Sequence, residues 1–200
     1  MTLSNSEEMR NTRTIWFDFE TTGLNPYHEK IIEISALDNY GKKFDTLLNI
    51  ETKLSPEIIK ITGITDELLL TQGKPYNKSI VDFFEYITSE KSYDRIFMIA
   101  HNGDAFDKIF LKTQLKKLDL YLPTKVNFID SIFVSKLLYP KIFSHSMLSL
   151  GKYFSVVNEN AHRASGDVNA LIKLWNIWMT EFNRQYSKND IISVYNTIYF

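Results

Sequence analysis

Thr14-Ile15-Trp16-Phe17-Asp18-Phe19-Glu20-Thr21-Thr22-Gly23 runs from apolar strand chemistry into two carboxylates and then into a turn. Its aromatic and β-branched residues favour extended backbone. The period of two puts Trp16, Asp18 and Glu20 on one face and Ile15, Phe17 and Phe19 on the other. Two carboxylates at the end of such a strand are costly unless they meet water or a cation. Gly23 and Asn25-Pro26 break the strand immediately after them.

Outward from this strand, residues 30–38 and 43–50 carry strand patterning and are joined by Asn39-Tyr40-Gly41-Lys42, a hairpin-type connection. Ser55-Pro56-Glu57 has helix-start chemistry, with Ser55 as cap and Pro56 in the first position, and Gly63 stops the helix. Ile80, Phe83, Phe84 and Ile87 fall at helical spacing within residues 77–89. Residues 96–100, all apolar, read as a strand buried on both faces. That strand delivers the chain to His101-Asn102-Gly103-Asp104-Ala105-Phe106-Asp107, and the apolar spacing that follows places Asp107 in the first turns of a helix. Residues 126–129 make a fifth strand, Asp130-Ser131 cap a helix through Leu138, residues 147–154 form a short helix and residues 165–179 a long one. An initial hairpin followed by alternating strands and helices predicts an α/β fold with a mixed five-stranded sheet flanked by helices. Residues 1–13 read as a flexible tail, residues 14–200 as one domain, and residues 181–200, with Ile191, Ile192, Val194, Tyr195 and Ile198, as a last helix docking on the body.

Composition narrows the chemistry. The 200 residues contain no cysteine, which excludes a disulfide framework, thiolate metal ligation and a cysteine nucleophile. No apolar run reaches the roughly 20 residues of a membrane span, and residues 1–13 lack the apolar core of a secretory signal, so an intracellular protein without membrane contact is expected. A net charge of −1 is unusual for a protein that binds duplex through a basic surface. An enzyme that grips a few nucleotides through metal ions is less constrained, because its own acidic cluster subtracts from the balance.

The carboxylates recur where they can converge: Asp18 and Glu20 on a strand, Asp107 at a helix start, and Asp167 near the start of the long helix, with His162 five positions before it. Phosphodiester hydrolysis needs a nucleophile made from water and a stabiliser for the departing oxyanion. Two divalent cations about 3.5–4 Å apart supply both, and hard oxygen ligands suit Mg²⁺ or Mn²⁺. His162 is the candidate base, since an imidazole accepts a proton near neutral pH.

Phe17-Asp18-Phe19-Glu20-Thr21-Thr22-Gly23-Leu24, the Ala100–Asp107 segment and His162-Arg163-Ala164-Ser165-Gly166-Asp167 together resemble the motifs of the DEDD 3'-to-5' exonucleases, the DnaQ-like enzymes of the ribonuclease H-like fold. The His162-to-Asp167 spacing matches the histidine branch, DEDDh; Arg163 stands where the tyrosine branch has its Tyr. The resemblance runs from about Ile15 to Trp175, and the second motif looks most like the three-prime repair exonucleases, which act on DNA. It implies that Asp18, Glu20 and Asp167 bind two Mg²⁺ or Mn²⁺ ions, that Asp107 helps to bind one, and that His162 deprotonates the attacking water. It further implies that Thr21, Thr22, Leu24 and Phe106 receive the 3'-terminal nucleotide of single-stranded nucleic acid, DNA in preference to RNA, with release of nucleoside 5'-monophosphates. A second copy of the chain, paired through the strand at residues 43–50 as a sheet edge, and a DNA polymerase are the protein partners it suggests. An exoribonuclease or oligoribonucleotide scavenger, and a proofreading subunit, are the alternative readings.

Other polar residues have plainer roles. Asp104 reads as a helix cap, Asp130 as another, His101 and Asn102 as loop-bonding residues, and His28 and His145 as loop or surface residues. Trp175 and Trp178 read as packing residues, and Lys112, Lys116 and Lys117 as a solvated basic helix face.

Overall fold

The computed structural model describes residues 12–90, 92–158 and 160–186. Six strands form one sheet: β1 (Thr12–Thr21), β2 (Ile31–Asp38), β3 (Lys43–Asn49), β4 (Lys74–Pro75), β5 (Arg95–Ala100) and β6 (Val126–Asp130). Their order is β4-β3-β2-β1-β5-β6; β1–β2 and β2–β3 are antiparallel, and the other pairs parallel. The sheet is therefore mixed, with β1 at its centre.

The sequence pattern accounts for five of these strands. The sixth, β4, is two residues long and pairs with Leu48 and Asn49, too short for any periodicity to announce it. Its local signal is Gly73, where an added Cβ would lie 2.3 Å from the Leu69 carbonyl oxygen and 2.7 Å from the Asn49 nitrogen. As a result, β3 is not the bare sheet edge expected for pairing with a second copy, since its last residues are covered by β4.

Seven helices pack around the sheet among the described residues: α1 (Pro56–Thr62), α2 (Asp66–Gln72), α3 (Tyr76–Thr88), α4 (Asp107–Lys116), α5 (Ser131–Leu138), α6 (Met147–Phe154) and α7 (Ala164–Gln185). Ser55 caps α1 by accepting the Ile58 N–H, and Gly63 ends it at φ 69°, as its sequence requires. The pattern did not reveal α2, although Thr65 caps it through the Leu68 N–H and Asp66 and Glu67 favour its first turn. Asp130 caps α5 through the Ile132 N–H. Asp104 does not cap α4, which starts at Asp107 without a side-chain cap; its carboxylate pairs with Lys108 Nζ at 2.8 Å. The long helix runs on to Gln185, so residues 181–185 are its last turn rather than the start of a separate helix. Thr12 and Arg13, expected in a flexible tail of residues 1–13, instead open β1, where Arg13 is buried against Asp38 at 2.7 Å. The rest of that tail, up to residue 11, and the remainder of the expected docking helix, from 187, lie outside the described residues.

Alternation in β1 feeds two cores. Ile15, Phe17 and Phe19 pack with Ile80, Phe83 and Ile87 of α3 and with Phe110 and Leu111 of α4. On the opposite face, Trp16 packs with Phe97 and Ile99 and with Leu171, Trp175 and Trp178 of α7. Trp178, read from its spacing as flanking the core-side residues of the helix, is itself fully buried. Burying such a side chain contributes about 2–3 kcal/mol relative to leaving it exposed. The face that begins with Trp16 thus ends, two and four residues on, in Asp18 and Glu20 beneath the start of α7. No helix among the described residues is long and apolar enough to cross a membrane.

Candidate active site

Asp18, Glu20 and Asp167 come together. Each offers one carboxylate oxygen, and these oxygens all lie within 4.8 Å of one another. Two come from the C-terminal end of β1 and the third from the first turn of α7, which crosses above it. Such crowding in a half-buried site resists ionisation. Burial first, then the charges of Asp107, Asp167, Glu20 and Glu33, raises the Asp18 carboxyl well above its ordinary value. Glu20 is pushed up to about 8 by burial, with Asp167 and Glu33 adding repulsion and Arg163 opposing it. Asp167 is raised by burial, against hydrogen bonding from Asn158 and the charge of His162. A divalent cation bound among these oxygens would offset both costs, and an all-oxygen donor set suits a hard ion.

Asp107 stands behind this trio. Its side chain is almost wholly buried, and Oδ1 accepts the backbone N–H of Phe19 at 3.2 Å. Phe19 lies between Asp18 and Glu20, so Asp107 braces the strand segment that carries both. Burial pushes its carboxyl up to about 8, although hydrogen bonds from its own backbone and from Phe19 oppose the shift.

His162 lies on the exposed loop before α7 in a left-handed conformation, φ 62°, and its N–H donates to Asp167 Oδ2 at 3.2 Å. A non-glycine residue there carries strain of order 1 kcal/mol, which the surroundings must hold in place. Asn158 Nδ2 donates to Asp167 Oδ1 at 2.6 Å. Gly166 lets the loop close over the helix start, because a Cβ there would sit 2.1 Å from the Asn160 carbonyl oxygen. Asp18, His162 and Asp167 line a cavity of about 830 Å³ whose far wall is α6 and the segment after it, including Leu148, Val157 and Asn158.

Thr21, Thr22, Leu24 and Phe106 do not line that cavity. Thr21 Oγ1 donates to the Gly23 carbonyl at 2.7 Å, and Thr22 Oγ1 donates to the Glu29 carboxylate, which shapes the turn after β1. Leu24 projects from this turn with 85% of its surface exposed. Phe106 packs on Phe110 with ring centroids 4.7 Å apart, directly before Asp107. His101 bonds Ser131 Oγ through Nδ1 at 2.8 Å and the His145 carbonyl through Nε2 at 3.0 Å, the loop role expected for it.

Glu33 carries no site signal in the sequence, and Arg163, which stands in the position of the tyrosine branch's Tyr, proves to be its partner. Glu33 pairs with Glu20 across β1–β2 and is buried. Arg163 grips it with Nη2 to Oε1 at 2.6 Å and Nε to Oε2 at 3.1 Å, and the Ala164 N–H donates to Oε2 at 2.9 Å. A strand carboxylate thus caps the long helix from outside it, at the turn that presents Asp167. The only local signal is a lone Glu inside the apolar run Ile31-Ile32-Glu33-Ile34. Arg163→Ala leaves a buried carboxylate without its cation and is expected to lower stability by about 2–3 kcal/mol, or roughly 5–10 °C in melting temperature. A thermal melt within 1 °C of wild type would show that the pair contributes nothing.

Comparison with known proteins identifies the family and the fold. The exonuclease (RNase T) family model matches residues 15–175. The DNA polymerase III PolC-type of Bacillus subtilis is 35% identical over 159 residues, covering 77% of this chain and 10% of that protein. Exonuclease DPD1, chloroplastic/mitochondrial, of Arabidopsis thaliana is 31% identical over 171 residues, 79% of this chain and 53% of that one. The chain therefore spans only part of the relatives it matches. Among solved structures, E. coli exonuclease I in complex with a dT13 oligonucleotide superposes with a TM-score of 0.77 at 17% identity, over 88% of this chain and 43% of that one, a likeness of fold. With the DEDDh motif order, the ribonuclease H-like sheet and a family match across residues 15–175, the chain belongs to the DnaQ-like exonuclease family.

Proposed function

We propose that this protein is a metal-dependent 3'-to-5' exonuclease that removes nucleoside 5'-monophosphates from the 3' end of single-stranded DNA. The observation that carries the reading is the convergence of Asp18, Glu20 and Asp167 within 4.8 Å, in a site whose burial makes uncompensated charge unfavourable. In this reading the three hold two Mg²⁺ or Mn²⁺ ions, with Asp107 bracing the strand and helping to hold one. When bound, such ions polarise the phosphoryl oxygens and lower the pKa of a bound water. His162, exposed at the rim of the cavity that Asp18 and Asp167 also line, is positioned to take the proton of the attacking water. Thr21, Thr22, Leu24 and Phe106 receive the terminal nucleotide at the end of β1. The exposed Leu24 offers an apolar wedge against a base.

A DNA substrate is favoured by the fold's likeness to an exonuclease I seen with dT13. A second reading, a proofreading part of a replicative polymerase, is favoured by the match to a segment of PolC-type polymerases. It keeps the same chemistry and adds a partner, which co-migration with a polymerase would reveal.

The test uses 5'-labelled DNA and RNA oligonucleotides of one sequence, with Mg²⁺ and then with EDTA. A ladder shortened one residue at a time from the 3' end, faster on DNA and absent in EDTA, is expected. Internal cuts alone, shortening from the 5' end or cleavage in EDTA would overturn the reading. A faster RNA ladder would transfer the proposal to the exoribonuclease alternative.

A further inference from the structure

We propose that a second cleft, lined by His28, Lys30, Tyr76, Lys78 and Lys117, binds the phosphate backbone of the strand several nucleotides upstream of the scissile bond. The inference rests on the exonuclease reading for the identity of the strand, but not for the site itself. The cleft encloses about 710 Å³ beside the turn that follows β1. Its cations come from three separate elements: Lys30 from the end of that turn, Lys78 from the first turn of α3, and Lys117 from the residue after α4. Glu51 is the acidic residue among those that line it.

Two of the ammonium groups are held in place by neutral groups, so their charge is ordered without being cancelled. Lys30 Nζ sits 5.5 Å from the centroid of the Tyr76 ring, and the Tyr76 hydroxyl is fixed by the Ile31 N–H at 3.3 Å. Lys117 Nζ donates to the Tyr27 carbonyl at 3.3 Å and to Gln114 Oε1 at 3.4 Å. By contrast, Lys78 is shared with Asp82 at 2.8 Å. Cations spread around an open cleft, rather than converging on one point, suit a chain of phosphates better than a single anion.

The cleft is joined to the site through one hydrogen-bonded pair. The Thr22 N–H donates to the Lys30 carbonyl and the Lys30 N–H to Thr22 Oγ1, both at 2.9 Å. Thr22 thus faces the terminal nucleotide in the proposed reading, while the Lys30 side chain faces the cleft. Helix α4 measures the separation: Asp107 starts it, Lys117 follows its end, and ten residues at 1.5 Å give about 15 Å. At a stacked rise of 3.4 Å per nucleotide, that distance reaches phosphates about four nucleotides from the 3' end.

Equilibrium binding of a labelled ten-nucleotide DNA strand, measured in EDTA across a salt series, tests the cleft without hydrolysis. Lys30→Gln/Lys117→Gln removes two phosphate contacts while keeping most of each stem. It is expected to weaken binding about tenfold at low salt and to flatten the slope of log K against log salt by about 1.4, two contacts at 0.7 each for a single strand. Lys112→Gln/Lys116→Gln removes the same charge from α4 outside the cleft and is expected to leave the slope at its wild-type value. Equal slopes for wild type and the cleft variant, equal flattening by both pairs of substitutions, or no binding by the wild type would each overturn the proposal. Hydrolysis of a trinucleotide in Mg²⁺, too short to reach the cleft, is read separately. Its absence would sink the exonuclease reading and leave the binding result to stand for the cleft alone.

Discussion

Asp18→Asn and Asp167→Asn are each expected to reduce hydrolysis in Mg²⁺ by about 10³-fold or more, the scale of losing several kcal/mol of transition-state charge stabilisation. Asp18→Asn should not weaken the metal-free fold. It removes one of the charges that, with burial, hold these carboxyls above their ordinary range, so its melting temperature in EDTA near pH 8 is expected to stay level or rise. Asp167→Asn also gives up one of the two hydrogen bonds its carboxylate accepts, from Asn158 and from the His162 N–H, so its melting temperature is expected to lie below that of Asp18→Asn. His162→Gln separates the base from the ligands. It is expected to lower turnover by about 10²–10⁴-fold while keeping the rise in melting temperature that Mg²⁺ produces, because no carboxylate is changed. Asp18→Asn should lose that rise together with activity. Asp107→Asn is expected to fall between them, since the amide oxygen can still accept the Phe19 N–H but the charge is gone. Wild-type turnover by Asp18→Asn or Asp167→Asn in Mg²⁺ would remove the assignment of the site.

The parts of this arrangement that the sequence discloses are those encoded over a few residues. Alternation along β1 separates Phe17 and Phe19 from Asp18 and Glu20, and the five-residue step from His162 to Asp167 marks the last motif. Both depend on local periodicity, which survives without knowledge of the fold. What the sequence withholds depends on chain segments that meet only in three dimensions. Arg163 reaches Glu33 across 130 positions, and nothing around either residue announces the other. Asp107 is recognisable as a member of its motif, but its hold on the Phe19 N–H, 88 positions away, is visible only once α4 lies against β1. The short strand β4 carries no period, and α2 fits within seven residues, where the cap at Thr65 and the acidic pair Asp66-Glu67 are the local cues. Trp16 shows a third limit. It shares a face with two carboxylates, yet α7 covers it and leaves only the end of that face polar.

The second large effect concerns stability, and its sign follows from the same carboxyls. In the metal-free protein, Glu20 rises from 4.5 to about 8 and Asp107 from 3.8 to about 8, with burial the leading cause in both, and Asp18 is raised as well. Between the unfolded and folded values, the folded state therefore binds more protons than the unfolded chain, and stability must fall as pH rises toward 8. His101 acts in the opposite sense at lower pH. Burial lowers it from 6.5 to about 4, so that the stability gained from its neutral form accrues mainly between pH 4 and 6.5 and rises only slightly above that. The interval from pH 6.5 to 8.5 thus isolates the carboxyls. Across it the two groups near 8 are expected to cost on the order of 2 kcal/mol each, together lowering the melting temperature in EDTA by about 8–16 °C. Cations favour the ionised carboxylates and bind the folded site, so the rise produced by millimolar Mg²⁺ should be larger at pH 8.5 than at pH 6.5. Thermal melts at the two pH values, each with EDTA and with Mg²⁺, read all four corners. A melting temperature in EDTA that stays constant or increases over this interval, or a metal effect that shrinks with pH, would contradict a buried carboxylate cluster built to be neutralised by a cation.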